Sequence, residues 1–383
     1  MSFFSISFLL RPDIRKIDYL LTAGTERVII SDAEIFHRAD HEVFLYVAAT
    51  PLHFPNHLHI KRLFYPHFFL DNMRLPYISH FFRLFFECIY VAQFLYLSRL
   101  SEKYCSFQVP LVGILKPKKT LVFCQDLSER TFYFRKIFPQ QYEKVRFVFC
   151  SHFLKKTFSG IVKNQTSKNL FVLHNYTFPK LFSPTKNKHL HKKIHLGFAS
   201  SWSKEKGIFV FVDFAHLCWK NKLPVTFQVA GDIDLWDLPE KDKLSYFSQV
   251  REFVFKNLSN EMGTKILGKI PYTKIPDFYR SLDFLVVPSL WEEPFGNVII
   301  ESMSCGTPVA TFYSGGIPEI VHDTNGLIAK ERTADALYQA LTRFLKEKKR
   351  SYSQLSKSAI ETVQSRFSDK DRYKKLMKLF LSQ

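Results

Sequence analysis

Glu293 and Glu301 bracket a short stretch, EPFGNVIIE, with seven residues between them and a Phe-Gly-Asn step after a proline. The chain runs on at once as SMSCGTPVATFYSGGIPEIV, dense in small residues and glycine. A segment built only to fold has no need of glutamates around an apolar helical run. If a helix begins near Gly296 or Asn297, its first N–H groups lack acceptors within the helix and form a phosphate site. Gly296 lets a phosphate approach with no side chain in the way. Glu301 then lies about one and a half turns further in, roughly 7 Å along the axis. From there a carboxylate can accept from both hydroxyls of a ribose. Glu293 lies before the helix start, where it can meet a group attached beyond a diphosphate. The order along the motif reads ribose, diphosphate, sugar. The bland alternative makes Glu293 a helix-start carboxylate favoured by the dipole and Glu301 an exposed helix residue. Two glutamates alone favour that alternative.

Other segments add to them. ASSWSKEKGIFVFVDFA, Ala199 to Ala215, carries a strand end, a polar loop with Ser201, and Lys206-Gly207 entering a helix. A lysine there points a compact positive charge into the same crevice. YSGGIPEIV, Tyr313 to Val321, is a second glycine-rich turn before a helix, and TAGTERVIISDAEIF places Gly24 close to a helix start in the first half. Gly24 is a further phosphate-facing glycine, expected across the cleft from the others.

These residues need a scaffold, and the apolar pattern supplies one. Strands are expected at Phe3–Leu10, Glu42–Ala48, Thr120–Cys124, Val145–Cys150 and Leu170–His174 in the first half. In the second they are expected at Ile194–Ala199, Val225–Gly231, Lys265–Ile270, Asp283–Ser289 and Pro308–Phe312. Helical segments such as Gly207–Trp219 and Ala334–Glu347 separate most of them. Continuous apolar strands joined by helices mean parallel sheets covered on both faces. The fold class is therefore α/β, with two doubly wound domains whose ligands lie beyond the strands' C-terminal ends. The polar stretch SPTKNKHLHKK, Ser183 to Lys193, is the expected hinge. The expected domains are 1–187 and 188–366, with a last segment 367–383.

At 383 residues the chain is too long for one ordinary core, and its 46% apolar and 23% charged content is globular. None of the six cysteines forms a CxxC, so a zinc framework is not expected and a reducing cytosol is. The three Asn-x-Ser/Thr triplets, at Asn164, Asn175 and Asn257, carry no weight without a secretion signal. MSFFSISFLLRPD has neither a basic start nor a small-residue cleavage site and reads as a first strand. Phe81 to Leu100 is the most apolar later stretch, but Arg83, Glu87, Gln93 and Arg99 interrupt it, so a buried or half-buried helix is expected rather than a spanning one, with a helix lying on a membrane surface as the alternative.

The net charge is +19 and uneven: residues 1–190 hold 26 Lys and Arg against 13 Asp and Glu, the remainder 28 against 22. Between Lys155 and Lys193 there are nine lysines and no acid. An anionic partner for the first half follows, whether nucleic acid, bilayer or phosphorylated acceptor. A solvated basic face is the alternative. No helix-turn-helix, zinc-finger or RNP-like pattern accompanies the charge, so nucleic acid is not the expected partner. His57 and His59, two apart in PLHFPNHLHIKRLFYPHFF, have chelating spacing but no acidic neighbour; a loop touching lipid headgroups, or one packed on its domain, fits better.

The second half resembles the retaining glycosyltransferases of family 4, which have the two-domain GT-B architecture of Rossmann-like domains facing a central cleft. The resemblance is carried by EEPFGNVIIE, CGTPVA, SGGIPEIV, Lys206-Gly207, VAGD at Val229–Asp232 and LGKIPYTKIPDFYRSLDFLVVPSLWEEPFG. The first half matches more loosely, through GTERVI, VFCSHFLKKTF and LHNYTFPKLFSP. The resemblance implies that Glu301 binds the donor ribose and Glu293 the transferred sugar. Phe295, Gly296 and Asn297 would serve the distal phosphate or sugar, Lys206 the leaving diphosphate, and Lys269 and Ile270 the base. It also implies that the segment from residue 367 is a helix crossing back to the N-terminal, acceptor-binding domain. Where the family commonly has an arginine, this chain has Ser200 and Ser201, and where a histidine often follows a mid-domain strand it has Gln125 and Asp126. Its first loop carries Ala23-Gly24 in place of a glycine pair.

The expected function is transfer of a sugar from a nucleotide-sugar, a UDP-sugar in the first instance, to a lipid-linked, lipopolysaccharide or other surface-polysaccharide acceptor. Retention of configuration is implied by the resemblance alone. A nucleotide-sugar already has a good leaving group, so the protein must stabilise diphosphate charge and exclude water. Lysine and helix N-termini can do this without a metal. Neither a metal nor a further cofactor is expected. Asp126 and His152 are acceptor-side candidates, each with a structural role as the alternative. The alternative function is a non-catalytic nucleotide-sugar-binding protein of the same fold. The expected location is the cytoplasm, with peripheral contact on the inner face of an anionic membrane.

Overall fold

The computed structural model describes residues 5–10, 16–18, 24–48, 50–52, 56–66, 76–132, 134–162, 167–184, 188–232, 240–258, 262–347 and 351–381. The chain forms two compact units, Met1–Asn175 with Lys370–Gln383, and Tyr176–Asp369. The sequence placed the boundaries at 187/188 and 366/367. The segment after Tyr176 packs within the second unit, where the Thr177 amide donates to the Phe367 carbonyl at 2.9 Å and the Phe182 ring meets Tyr272 at 5.5 Å.

The first unit contains β1 (Ser5–Leu9), β2 (Lys16–Asp18), β3 (Glu42–Val47), β4 (Thr50–Leu52), β5 (His59–Arg62), β6 (Lys103–Phe107), β7 (Thr120–Cys124), β8 (Phe147–Phe149) and β9 (Leu170–Val172). Seven of these form one sheet in the order β5-β3-β1-β6-β7-β8-β9, all parallel, while β2 pairs with β4. Ile6, Phe8, Cys105, Phe107, Leu121 and Phe123 bury together against helix Thr25–Arg38 through Ile29, Ile30, Ala33 and Phe36. The expected half-buried helix spans Pro76–Leu97; Glu87, Tyr90, Val91 and Phe94 are buried, and Phe85, Tyr96 and Leu97 are exposed. Spacing at i, i+3, i+4 and i+7 puts the buried set on one stripe.

Helix Arg372–Leu381 completes this unit. Its Leu376 and Phe380 enter the same core, and Tyr373 OH lies 2.7 Å from His41 Nε2. Arg372 is bonded to Asp32 through Nε at 2.8 Å and Nη2 at 2.7 Å, with both side chains almost wholly buried.

The second unit contains β10 (Ile194–Ala199), β11 (Val225–Ala230), β12 (Thr264–Gly268), β13 (Phe284–Val287), β14 (Val309–Phe312) and β15 (Gly326–Ala329). They form one parallel sheet in the order β12-β11-β10-β13-β14-β15. From β10 the chain winds outward through β11 and β12, then returns to the other side of β10 with β13. That reversal makes the C-terminal ends of β10 and β13 the place where loops diverge and a ligand crevice opens. Helix Ile208–Lys220 buries Ile208, Phe211, Val212, Ala215 and Cys218 on the sheet, one face of a 3.6-residue repeat. The expected fold class therefore holds: α/β, with two doubly wound parallel sheets.

Candidate functional site

The loops leaving β10 and β13 touch backbone to backbone. Gly207 sits at φ 78°, and a Cβ there would come 1.9 Å from the Pro288 carbonyl oxygen. Both the left-handed angle and the contact require glycine. The Leu290 amide also donates to the Glu205 carbonyl at 2.8 Å. This contact sets Lys206 against Glu293. The ammonium lies 2.9 Å from Oε2 and 3.2 Å from Oε1, and 4.5 Å from the centre of the Trp291 ring. Trp291 Nε1 and Ser289 Oγ donate to the same Oε2 at 2.8 and 3.3 Å. Glu293 is buried, with 9% of its surface exposed. It is a paired, oriented carboxylate at a strand end.

Helix Asn297–Ser304 starts where the sequence placed it, after Gly296 at φ 100°. Glu301 is not an exposed helix residue: it is buried, and Tyr272 and Tyr279 donate to its Oε1 and Oε2 at 3.2 and 3.0 Å. Burial, then the neighbouring Glu301 carboxylate, pushes the Tyr279 hydroxyl well above its ordinary value. Tyr279 therefore stays protonated and keeps donating at any physiological pH. A carboxylate accepts at about four positions, so two tyrosines leave Glu301 capacity for further hydroxyls.

The other expected donor-side residues divide between ends of strands in this sheet. Phe295 is buried edge-on against Phe367 at 5.6 Å, so its ring belongs to the core. Asn297 opens the helix and is half-buried. Ser201 is half-buried in the loop after β10, while Lys269 is exposed and Ile270 half-buried just past β12.

Gly24, Asp126 and His152 lie in the first unit. Gly24 stands before helix Thr25–Arg38 at φ 70°, and a Cβ there would meet nothing within 4 Å. Asp126 accepts from Gln108 Nε2 and, at 3.0 Å, from the Ser128 amide, a turn-forming role. His152 is the exposed first residue of helix His152–Ile161, its ring 5.5 Å from that of His174. Gln125 forms a reciprocal amide pair with Asn175 at 2.8 and 3.1 Å.

Four residues of the site escaped the sequence reading: Tyr272, Tyr279, Glu292 and Arg332. The first two stood within a quoted motif, but nothing in their spacing directs a hydroxyl at Glu301. Burial opposes ionisation of Glu292, yet hydrogen bonds from Arg332 and the Gly315 amide outweigh it and hold the carboxyl below its ordinary value. The SGG turn therefore serves the acidic loop: the Gly315 amide donates to Glu292 at 2.6 Å and the Gly316 amide to the Glu293 carbonyl at 2.7 Å. Of the histidines weighed for metal, the His57 ring stacks on His37 at 4.9 Å, and His59 lies in β5, 5.7 Å from the Phe44 ring. In the second unit, His191, His195 and Asp283 bring donor atoms within 4.8 Å of one another, with His191 Nδ1 2.9 Å from Asp283.

Residues 180–362 match the family model described as glycosyl transferases group 1, so most of the second unit carries that family's pattern. An uncharacterized glycosyltransferase of Methanocaldococcus jannaschii is 29% identical over 149 residues, covering 39% of this chain and 37% of that protein. A lipopolysaccharide 1,2-N-acetylglucosaminetransferase of Salmonella typhimurium is 27% identical over 176 residues, covering 45% of this chain and 44% of that protein. The chain thus spans less than half the length of these curated relatives. Among solved structures, Anabaena HepE in complex with UDP and glucose superposes with a TM-score of 0.74 at 16% identity, covering 99% of this chain and 100% of that one. At that identity the likeness speaks to fold alone, and the fold is the GT-B type.

Proposed function

We propose that this chain is a glycosyltransferase of the group 1 type, and within it a retaining family 4 enzyme. It moves a sugar from a nucleotide-sugar donor to a lipid-linked, lipopolysaccharide or other surface-polysaccharide acceptor. The observation that carries this reading is the placement of Glu293 and Glu301 around one helix start at the switch point of the second sheet, with Lys206 held on Glu293. Match of the second unit to the group 1 model supports the class, and the Salmonella relative's lipopolysaccharide substrate supports the acceptor. UDP and glucose in HepE support a UDP-sugar as donor.

In this reading Glu301 accepts from the ribose hydroxyls, steadied by Tyr272 and Tyr279. The diphosphate lies at the start of helix Asn297–Ser304, where the helix dipole favours negative charge. Lys206 leaves Glu293 for the diphosphate and stabilises it as it departs, and Glu293 is then free to accept from the sugar. The departing phosphate helps to deprotonate the acceptor hydroxyl on the same face of the sugar. The protein's own cation and amides supply the charge stabilisation, so no metal is required. A donor contact is proposed for Gly24, and acceptor contacts for Asp126 and His152.

The test is nucleoside diphosphate release from a panel of UDP-, GDP- and ADP-sugars, with EDTA and a membrane-lipid extract present. Release from one donor, resistant to EDTA and lost in Glu301→Gln, is expected. Binding of a donor without release under any acceptor would instead point to a non-catalytic binder. Failure of every donor to bind would remove the reading.

The location proposed is the cytoplasmic face of an anionic membrane, reached peripherally. No helix among the described residues is long and apolar enough to cross a bilayer. The support is the exposed set Phe85, Tyr96, Leu97 and Leu100 on and just after helix Pro76–Leu97, beside Arg99. Aromatic rings and arginine suit the headgroup interface. The protein is expected to sediment with anionic vesicles at low salt and not with neutral ones. Equal recovery with both kinds would count against membrane contact.

A further inference from the structure

Glu293 reaches its place on a loop that another residue holds. β13, β14 and β15 are neighbours in the sheet, and the segments leaving them meet at their C-terminal ends. Arg332, shortly past β15, donates to the Leu290 carbonyl at 3.0 Å, to Glu292 Oε1 at 2.5 Å and to the Tyr313 carbonyl at 3.5 Å. Glu292 passes the constraint on, since its Oε2 takes the Gly315 amide at 2.6 Å. Ser314 Oγ donates to the Trp291 carbonyl at 2.5 Å, and the Gly316 amide to the Glu293 carbonyl at 2.7 Å. Each residue from Leu290 to Glu293 is thereby tied to Arg332 or to the loop after β14.

Gly315 shows how closely the two loops lie. It sits at φ 53°, and a Cβ there would come 2.2 Å from the Glu293 carbonyl oxygen. A half-exposed pair such as Arg332–Glu292 contributes little to global stability. Its use is geometric: a planar guanidinium reaches acceptors on two loops at once, which a lysine cannot do.

The geometry points to Arg332 as a positioning residue for the transferred sugar, acting through Glu292 and the Leu290 carbonyl to fix where the Glu293 carboxylate stands. This rests on the donor-site reading given above. Among the described residues, Arg332 bonds the loop that carries Glu293 and the Tyr313 carbonyl, and not Glu301, its two tyrosines or helix Asn297–Ser304. Nucleoside diphosphate held by those groups should therefore be indifferent to it.

The experiment compares wild type with Arg332→Ala, Arg332→Lys and Glu292→Gln. Melting temperature, Kd for UDP, GDP and ADP, and kcat with the donor the wild type uses are read for each. An error of about 1 Å in a positioned group costs on the order of 100-fold, so kcat in Arg332→Ala should fall by about that factor. Arg332→Lys should recover part of it and Glu292→Gln should lose less, with melting and nucleoside diphosphate affinity unchanged in all of them. If kcat in Arg332→Ala stays within about threefold of wild type, the inference is overturned. It is overturned equally if nucleoside diphosphate affinity falls in step with kcat, since Arg332 would then support the whole unit. Should Arg332→Ala not fold, the lysine and Glu292→Gln variants decide on the same criteria. A wild type that binds no nucleoside diphosphate would sink the underlying reading, and this one with it.

Discussion

Arg372→Met is expected to cost the first unit about 3–5 kcal/mol, the range for removing one member of a buried ion pair. The side chains of Arg372 and Asp32 are 2% and 1% exposed. The guanidinium meets both carboxylate oxygens, at 2.8 and 2.7 Å, and donates a third bond to the His174 carbonyl at 2.8 Å. Without it Asp32 is a buried charge with its main counterion gone, and the His174 carbonyl loses a donor. The large loss measures that uncompensated charge and not the net worth of the pair, which desolvation largely offsets. A double variant, Asp32→Asn with Arg372→Met, should therefore recover a substantial part. Two units need not unfold together, so a single melting temperature is a poor gauge. Hydrogen exchange at the amides of β1, β6 and β7 reports the first unit by itself. A drop in protection worth less than about 1 kcal/mol in Arg372→Met would contradict the expectation, because such a value belongs to an exposed pair.

Lys206→Met should lower kcat by about 10²–10³, the effect of removing one preorganised stabiliser of developing charge. Methionine keeps the aliphatic reach and the contact with Trp291 but removes the cation. In the structure that cation lies 2.9 Å from Glu293 and over the Trp291 ring. Glu293 retains the Trp291 and Ser289 donors in the variant, so its orientation should survive. The readout is steady-state nucleoside diphosphate release by the full chain, with the affinity for free UDP measured alongside. A fall in kcat much larger than the fall in affinity places Lys206 in the transition state. Equal falls would mean that it only binds the leaving group, and no fall in either would remove it from the site.

The residues that were legible in the sequence share a property: each lies within a few positions of a strand end or a helix start. Gly207, Gly296 and Lys206 could be read because glycine before an apolar helix and a lysine beside it are local signals. Glu293 and Glu301 could be placed because one helix start lies between them. Tyr272, Tyr279 and Arg332 could not, because their contacts join segments distant in sequence, 29 and 22 residues for the tyrosines and 40 for Arg332 with Glu292. No periodicity records such a pairing.

The sheets show the same limit. β7 and β10 matched the apolar runs to the residue, whereas β6, which lies between β1 and β7, went unread. Its KYCSF has no β-branched residue to mark it. Edge strands β5 and β15 were also unread. The exposed residues of HIKR carry no apolar alternation, and GLIA is too short to distinguish from a turn.

The bond between Asp32 and Arg372 spans 340 residues, and that distance has a meaning in time as well as in space. A chain is made from its N-terminus at about 5–20 residues per second, so roughly 20–70 seconds separate the emergence of the acid from that of its cation. Every strand described in the two large sheets precedes Arg372 in the chain and leaves the ribosome before it. Until then the first unit lacks the guanidinium that meets both carboxylate oxygens of Asp32. The first unit is thus finished only after the second has been made.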